Sequence, residues 1–161
     1  MRLKKKHYVI GLIIIFLVFL FIGLGLNKRC EKKDNAICVI PFNNVSLTVK
    51  IAYSKERQAK GLMSVANLKN NEGMIFVYDE PSYLSFWMKN TLIPLSIAFV
   101  ETDGRIAEIY DMKVEGNKKD NELPIYQSPT MVRYAIEAPS GWFVLNNIVK
   151  NDRINIPEEL K

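Results

Sequence analysis

The stretch LSIAFVETDGRIAEIY, residues 95–110, decides the fold class. Two apolar runs, 95–101 and 105–110, flank Thr102-Asp103-Gly104. Asp-Gly between apolar runs is a strong hairpin signal, because the tight turn needs backbone conformations that glycine adopts freely. Pro94 has no N–H to give a ladder, so the first of these strands starts after it. Outward from the hairpin, Val45, Leu47, Val49 and Ile51 alternate with Ser46, Thr48 and Lys50, which predicts a half-buried strand. Residues 73–78, 84–89, 131–138 and 152–156 read as further strands, with Asp79-Glu80-Pro81-Ser82 as a turn. Ser54 can N-cap a short helix through Met63, with Glu56 in its first turn and Gly61 near its end. Pro139-Ser140-Gly141 opens a second short helix through about residue 145. The segment 111–130 is a long loop, rare in a compact domain unless it is functional or mobile. The fold class expected is a β-rich α+β domain: a small curved antiparallel sheet or barrel with two short helices.

The chain has 161 residues and a formal net charge of +5, and the position of that charge matters. Residues 1–33 hold eight Lys/Arg and one acid; residues 34–161 hold 14 Lys/Arg and 16 Asp/Glu, a net of −2. The domain thus lacks the broad basic surface that phosphate contacts need, and nucleic acid is not an expected partner. The basic residues flank residues 8–26, a 19-residue uncharged run long enough to cross a bilayer as a helix. Four lie on each side: Arg2, Lys4, Lys5 and Lys6 before it, Lys28, Arg29, Lys32 and Lys33 after it. The organisation predicted is a basic tail (1–7), a transmembrane signal anchor or signal peptide (8–26), a polar juxtamembrane linker (27–41) and one domain (42–161). Balanced flanks leave orientation open; a seven-residue tail more naturally stays inside while the domain is exported. The location expected is the cytoplasmic membrane with the C-terminal domain outside, or a secreted or periplasmic domain after cleavage. Cys30 and Cys38 could close a disulfide loop in an oxidising compartment, or remain two thiols.

The only histidine is His7, and no cysteine follows Cys38. Ser-His-Asp and Cys-His nucleophile systems are therefore excluded from the domain, as are zinc or iron sites built on imidazole or thiolate. No cofactor and no metal are expected.

Three segments carry a resemblance: 56–63 (ERQAKGLM), 73–78 (GMIFVY) and 86–95 (FWMKNTLIPL). With the Asp103-Gly104 hairpin and Tyr134-Ala135-Ile136-Glu137, they resemble the DUF192 family across about residues 45–157. The resemblance implies a fold and an exported setting, and no reaction. It departs at Ser96, where the family usually has Asp, and at Asn147 and Asn151, where it usually has Gly. Asn tolerates positive φ best among the other residues, so those two glycines are read as serving backbone geometry.

Two clusters are candidate ligand-binding residues. Arg57, after Glu56 and before Gln58, can hold an anionic or sugar ligand, or form a structural ion pair with Glu137. In strand alternation Phe86 and Met88 face the core, while Trp87 and Lys89 face out or into a cleft. Trp87 beside Lys89, Asn90 and Thr91 could then stack and hydrogen-bond a ring; the bland alternative is a core Trp with Asn90 and Thr91 satisfying loop backbone. The function expected is a membrane-tethered, non-enzymatic binding or accessory module of the cell envelope, with a glycan, peptide or protein ligand. The other reading is a small envelope hydrolase or lyase using Glu and Lys as acid and base.

Overall fold

The computed structural model describes residues 30–116 and 118–161. The anticipated membrane segment 8–26 lies outside the described residues; among the described residues no helix is long and apolar enough to cross a membrane. The strands are β1 (Ile37–Phe42), β2 (Val45–Ala52), β3 (Glu72–Ser82), β4 (Ser85–Phe86), β5 (Leu95–Val100), β6 (Ile106–Met112), β7 (Tyr126–Gln127) and β8 (Val132–Pro139). Two short helices are α1 (Lys55–Lys60) and α2 (Trp142–Leu145).

Six strands form one sheet in the order β1-β2-β3-β8-β5-β6, and β4 pairs with β7 in a separate ribbon. The sheet does not close, which corrects the barrel alternative. Nor is it wholly antiparallel, because β2 and β3 run parallel, joined through α1 and the loop after it. The parallel pair follows from that crossover, since parallel neighbours cannot be joined by a tight turn. β1 begins at Ile37, inside the stretch read as linker, and pairs along its length with β2.

Both faces are covered. One carries Ile40, Leu47, Val49, Ile51, Ile75, Val77, Tyr134 and Ile136, closed by Trp142 and Phe143 of α2. The other carries Met74, Phe76, Leu95, Ile97 and Phe99, closed by Leu62, Phe86 and Met88. Burial of β2 alternates as expected up to Ile51, because only one of its faces is covered there; Ala52 is buried in the other core. All six residues of β5 are buried, as befits a strand covered on both sides.

The predicted hairpin at Asp103-Gly104 is present, with Gly104 at φ 86°. Asn147 and Asn151 lie at φ 55° and 73°, the geometry expected of them. Ser96 is buried, accepts from the Gly141 N–H at 2.8 Å and donates to Asp111, so its hydroxyl ties β5 to the start of α2.

Several elements differ from expectation. The first helix ends at Lys60 because Gly61 turns to φ 48° and caps it. The turn expected at 79–82 is instead the end of β3, which reaches Ser82 through a register shift after Val77. The strand expected over 84–89 shrinks to Ser85–Phe86, because the chain turns at 88–91, where the Thr91 N–H bonds Met88 O. No strand forms over 152–156; one isolated bridge, Arg105 with Arg153, holds that segment against the hairpin.

Cys30 and Cys38 are bonded, with Cα atoms 4.6 Å apart. The loop they close carries Asp34, whose carboxylate accepts from the Tyr53 and Ser54 N–H groups at 2.7 and 2.9 Å. A loop this short removes about 2–3 kcal/mol of chain entropy from the unfolded state. Reduction is expected to lower stability by that amount, read as the difference between urea melts with and without reductant; coincident melts would contradict it.

Candidate functional site

The site is built where α1, β3, β8 and the segment after β4 meet on one face of the sheet. Ser54 caps α1 by accepting from the Arg57 N–H at 3.1 Å. Gln58 then donates from Nε2 to Val77 O at 2.8 Å and pins the helix over β3. Gly61 and Leu62 carry the chain over the Phe76 ring, which lies 3.4 Å from where a Gly61 side chain would begin. After β4, Phe86 and Met88 turn into the core; Phe86 packs edge-on against Phe76 with ring centroids 4.8 Å apart. Trp87, 40 % exposed, and half-buried Lys89 face the other way, as the alternation predicted.

These elements enclose a cleft of about 210 Å³. It is lined by Gln58, Lys60 and Gly61 from the first helix and its cap, Phe76 and Tyr78 from β3, and Ser85, Phe86, Trp87, Lys89 and Thr91 from β4 and beyond. Glu137 of β8 completes it. Its residue is 5 % exposed, and its Oε2 has no hydrogen-bond partner among the described residues. Burial pushes the Glu137 carboxyl up to about 8, opposed only in part by the positive charge of Arg57. Burial likewise raises the Tyr78 hydroxyl to about 12, with the negative charge of Glu137 adding to it.

Of the six predicted ligand-binding residues, Trp87, Lys89, Thr91 and Glu137 line this cleft. Arg57 does not, and it makes no ion pair with Glu137. Its guanidinium donates to Asn35 Oδ1 at 2.9 Å and to Gly61 O at 2.6 Å, which fixes the disulfide loop to the end of α1. Arg57 lines a second hollow, of about 200 Å³, beside β2. Asn90 is exposed at φ 53°, and its carbonyl accepts from the Ser64 N–H at 2.9 Å. The Trp87 ring is not a bare platform, because Lys89 Nζ sits 5.2 Å from its centroid while pairing with Asp120. Thr91 turns its hydroxyl back to Lys89 O at 3.3 Å.

Gln58, the amide beside Arg57 in the first candidate cluster, lines the cleft, and so does Tyr78, which the sequence reading did not include. The spacing Met74-Phe76-Tyr78 placed Tyr78 on the same face as Phe76, so that signal was present. Two further carboxylates are already paired: Glu101, just after β5, with Arg105 at 2.8 Å and Glu108 of β6 with Lys150 at 2.8 Å. Among the described residues no three His, Cys, Asp or Glu side chains gather as a metal site.

The chain matches the DUF192 family, described as an uncharacterized ACR, over residues 38–156. This protein belongs to the DUF192 family. The match runs from Cys38 in β1 to Ile156 beyond the last helix, so all eight strands and the whole cleft fall within the DUF192 domain apart from the first residue of β1. No curated protein matches the chain. Two crystal structures of related folds do. One, from Sinorhizobium meliloti 1021, is described as a "putative transcription regulator"; it is 26 % identical with a TM-score of 0.64, over 73 % of this chain and 89 % of that one. The other, a protein of unknown function from Novosphingobium aromaticivorans DSM 12444, is 27 % identical with a TM-score of 0.61, over 75 % of this chain and 84 % of that one. The DUF192 family and these neighbours carry the fold and assign no reaction.

Proposed function

We propose that this DUF192 domain is a non-enzymatic binding module that takes a small ligand in the cleft around Glu137. One observation carries the reading: a buried carboxyl oxygen without a partner, at the wall of a cleft. Leaving such a group unsatisfied costs about 1–3 kcal/mol, so a site that keeps it is a candidate for a ligand that supplies the missing bond. The aromatic lining and few convergent polar groups suit small-molecule recognition. A hydrolase of the two-carboxylate type finds less support, because Glu137 is the one carboxyl among the lining residues. The regulator description of the Sinorhizobium protein also finds little support in the charge of residues 34–161, 14 basic against 16 acidic.

The setting belongs to the same proposal. Residues 8–26 tether the domain to the bilayer, and the domain lies outside the cytoplasm, in the cell envelope. The Cys30–Cys38 bond supports export, since disulfides persist in oxidising compartments. Ligands in that setting are glycans, peptides or small envelope metabolites.

The test uses the full chain in detergent and a panel of sugars, short peptides, amino acids and organic acids. Saturable binding is expected for at least one class. Trp87→Ala is expected to weaken it about tenfold, the scale of one lost aromatic contact, while the melting temperature stays close to wild type. No saturable binding across the panel, or a Trp87→Ala protein that unfolds, would sink the reading.

A further inference from the structure

The side chains lining the cleft have a consistent polarity. Lys60 and Lys89 bring two ammonium groups, the second already paired with Asp120, and Tyr78 and Ser85 bring hydroxyls. Ser85 already accepts from Gln127 Nε2 at 3.1 Å, so its own proton is directed elsewhere. Glu137 faces these donors with Oε2 unpartnered. We infer that the cleft takes a small organic anion, in its simplest form a carboxylate, with one ligand oxygen sharing a proton with Glu137 Oε2 and its charge set toward Lys89 and Lys60. The inference rests on reading the cleft as a binding site and names the ligand's chemistry.

Size agrees with a small ion. A volume of about 210 Å³ is on the order of seven water volumes, room for a compact acid. Charge agrees as well. The ligand class opposite in sign, an ammonium, would seek the Trp87 ring and the carboxyl. Lys89 already holds its ammonium 5.2 Å from that ring, so a second cation meets repulsion there.

Protonation supports the geometry. With its carboxyl held up to about 8, Glu137 carries its proton at neutral pH and donates where an ionised neighbour would repel an anion. The charged and titratable groups that act on it are Arg57 from α1 and Tyr78 from β3, and the same cleft is lined by Lys60 and by Lys89, which pairs with Asp120. Its ladder partners Met74 on β3 and Ile97 on β5 are uncharged. Tyr78 holds its proton to about 12, above the range in which Glu137 loses its own.

The experiment is an NMR titration of the full chain in detergent with benzoate, benzamide and benzylamine, one ring bearing three charges, and with acetate. Benzoate is expected to bind at least tenfold tighter than the other two aromatic probes at pH 6.5. Its affinity is expected to fall about tenfold per pH unit above about 8, as one proton must be taken back for each anion bound. Glu137→Gln is expected to lose the pH slope, because the amide N–H donates at every pH, and a slope that persists in this variant overturns the part given to Glu137. Tighter binding of benzylamine that strengthens above pH 8, or equal binding of benzamide with no pH slope, overturns the anion and leaves the cleft as a binding site. No saturable shift with benzoate or acetate also overturns it; the cleft reading falls as well only if the wider panel is silent too.

Discussion

Replacing Glu137 with glutamine is expected to remove a fall in stability of about 3–5 kcal/mol that the wild-type protein undergoes between pH 5 and pH 8. The carboxyl is held up to about 8 in the folded protein, chiefly by burial, against an ordinary value of 4.5. Between those two values the folded state keeps a proton that the unfolded chain has released. Stability therefore declines as pH rises through this window: the favourable contribution is whole below 4.5 and gone above about 8. Other shifted carboxyls act elsewhere. Asp79, Asp103 and Glu108 are held below their ordinary values by Lys32, by the Arg105 N–H and by Lys150 respectively, so they lose stabilisation only as pH falls into the acid range. The single histidine of the chain, His7, precedes the domain, and both cysteines of the chain are bonded. The slope from pH 5 to 8 therefore belongs to Glu137. Urea melts of both proteins at several pH values measure it, and parallel declines in wild type and Glu137→Gln would contradict it.

How much of this site was legible in the sequence depends on how many faces of each strand are covered. On β2, with one covered face up to Ile51, alternation gave the orientation of the side chains from Val45 to Ile51. The same logic held for Phe86 and Met88 against Trp87 and Lys89, even though only Ser85 and Phe86 pair as strand. On β8 it fails, because Tyr134, Ala135, Ile136 and Ala138 are all fully buried, and a near-continuous apolar run says nothing about which way Glu137 points. The parallel pairing of β2 with β3 and the closing of the cleft by α1 are non-local and leave no short-range signal. Turn chemistry is local, and Gly104, Asn147 and Asn151 were readable for that reason. Arg57 misled in an instructive way. It was matched to Glu137 by charge, yet its guanidinium was already taken by Asn35 and Gly61, neighbours that only the disulfide loop and the helix cap bring within reach.

Gly73→Ala is expected to cost at least about 3 kcal/mol, and to disturb the cleft through the strand that carries Glu137. The methyl carbon would lie 2.2 Å from the carbonyl oxygen of Glu137 and 3.1 Å from Leu47 Cδ2. The first of these contacts is with backbone, so no side-chain rotation relieves it. β3 could yield only by drawing away from β8, and it is held on its other edge by the parallel ladder to β2, which includes the Val49–Gly73 pair. β8 in turn is fixed by β5, whose Ile97 pairs with Glu137. The strain is therefore shared by the central strands, where interiors are packed closely enough to transmit it. Gly116→Ala separates this cause from backbone freedom alone. Gly116 lies at φ 58°, yet an added Cβ meets nothing within 4 Å, so that variant should lose only about 1 kcal/mol. Denaturant melts of the two variants beside wild type test the difference. A Gly73→Ala protein within 1 kcal/mol of wild type would mean that β8 relaxes freely, and a β8 that relaxes freely could not keep the Glu137 carboxyl buried and without a partner.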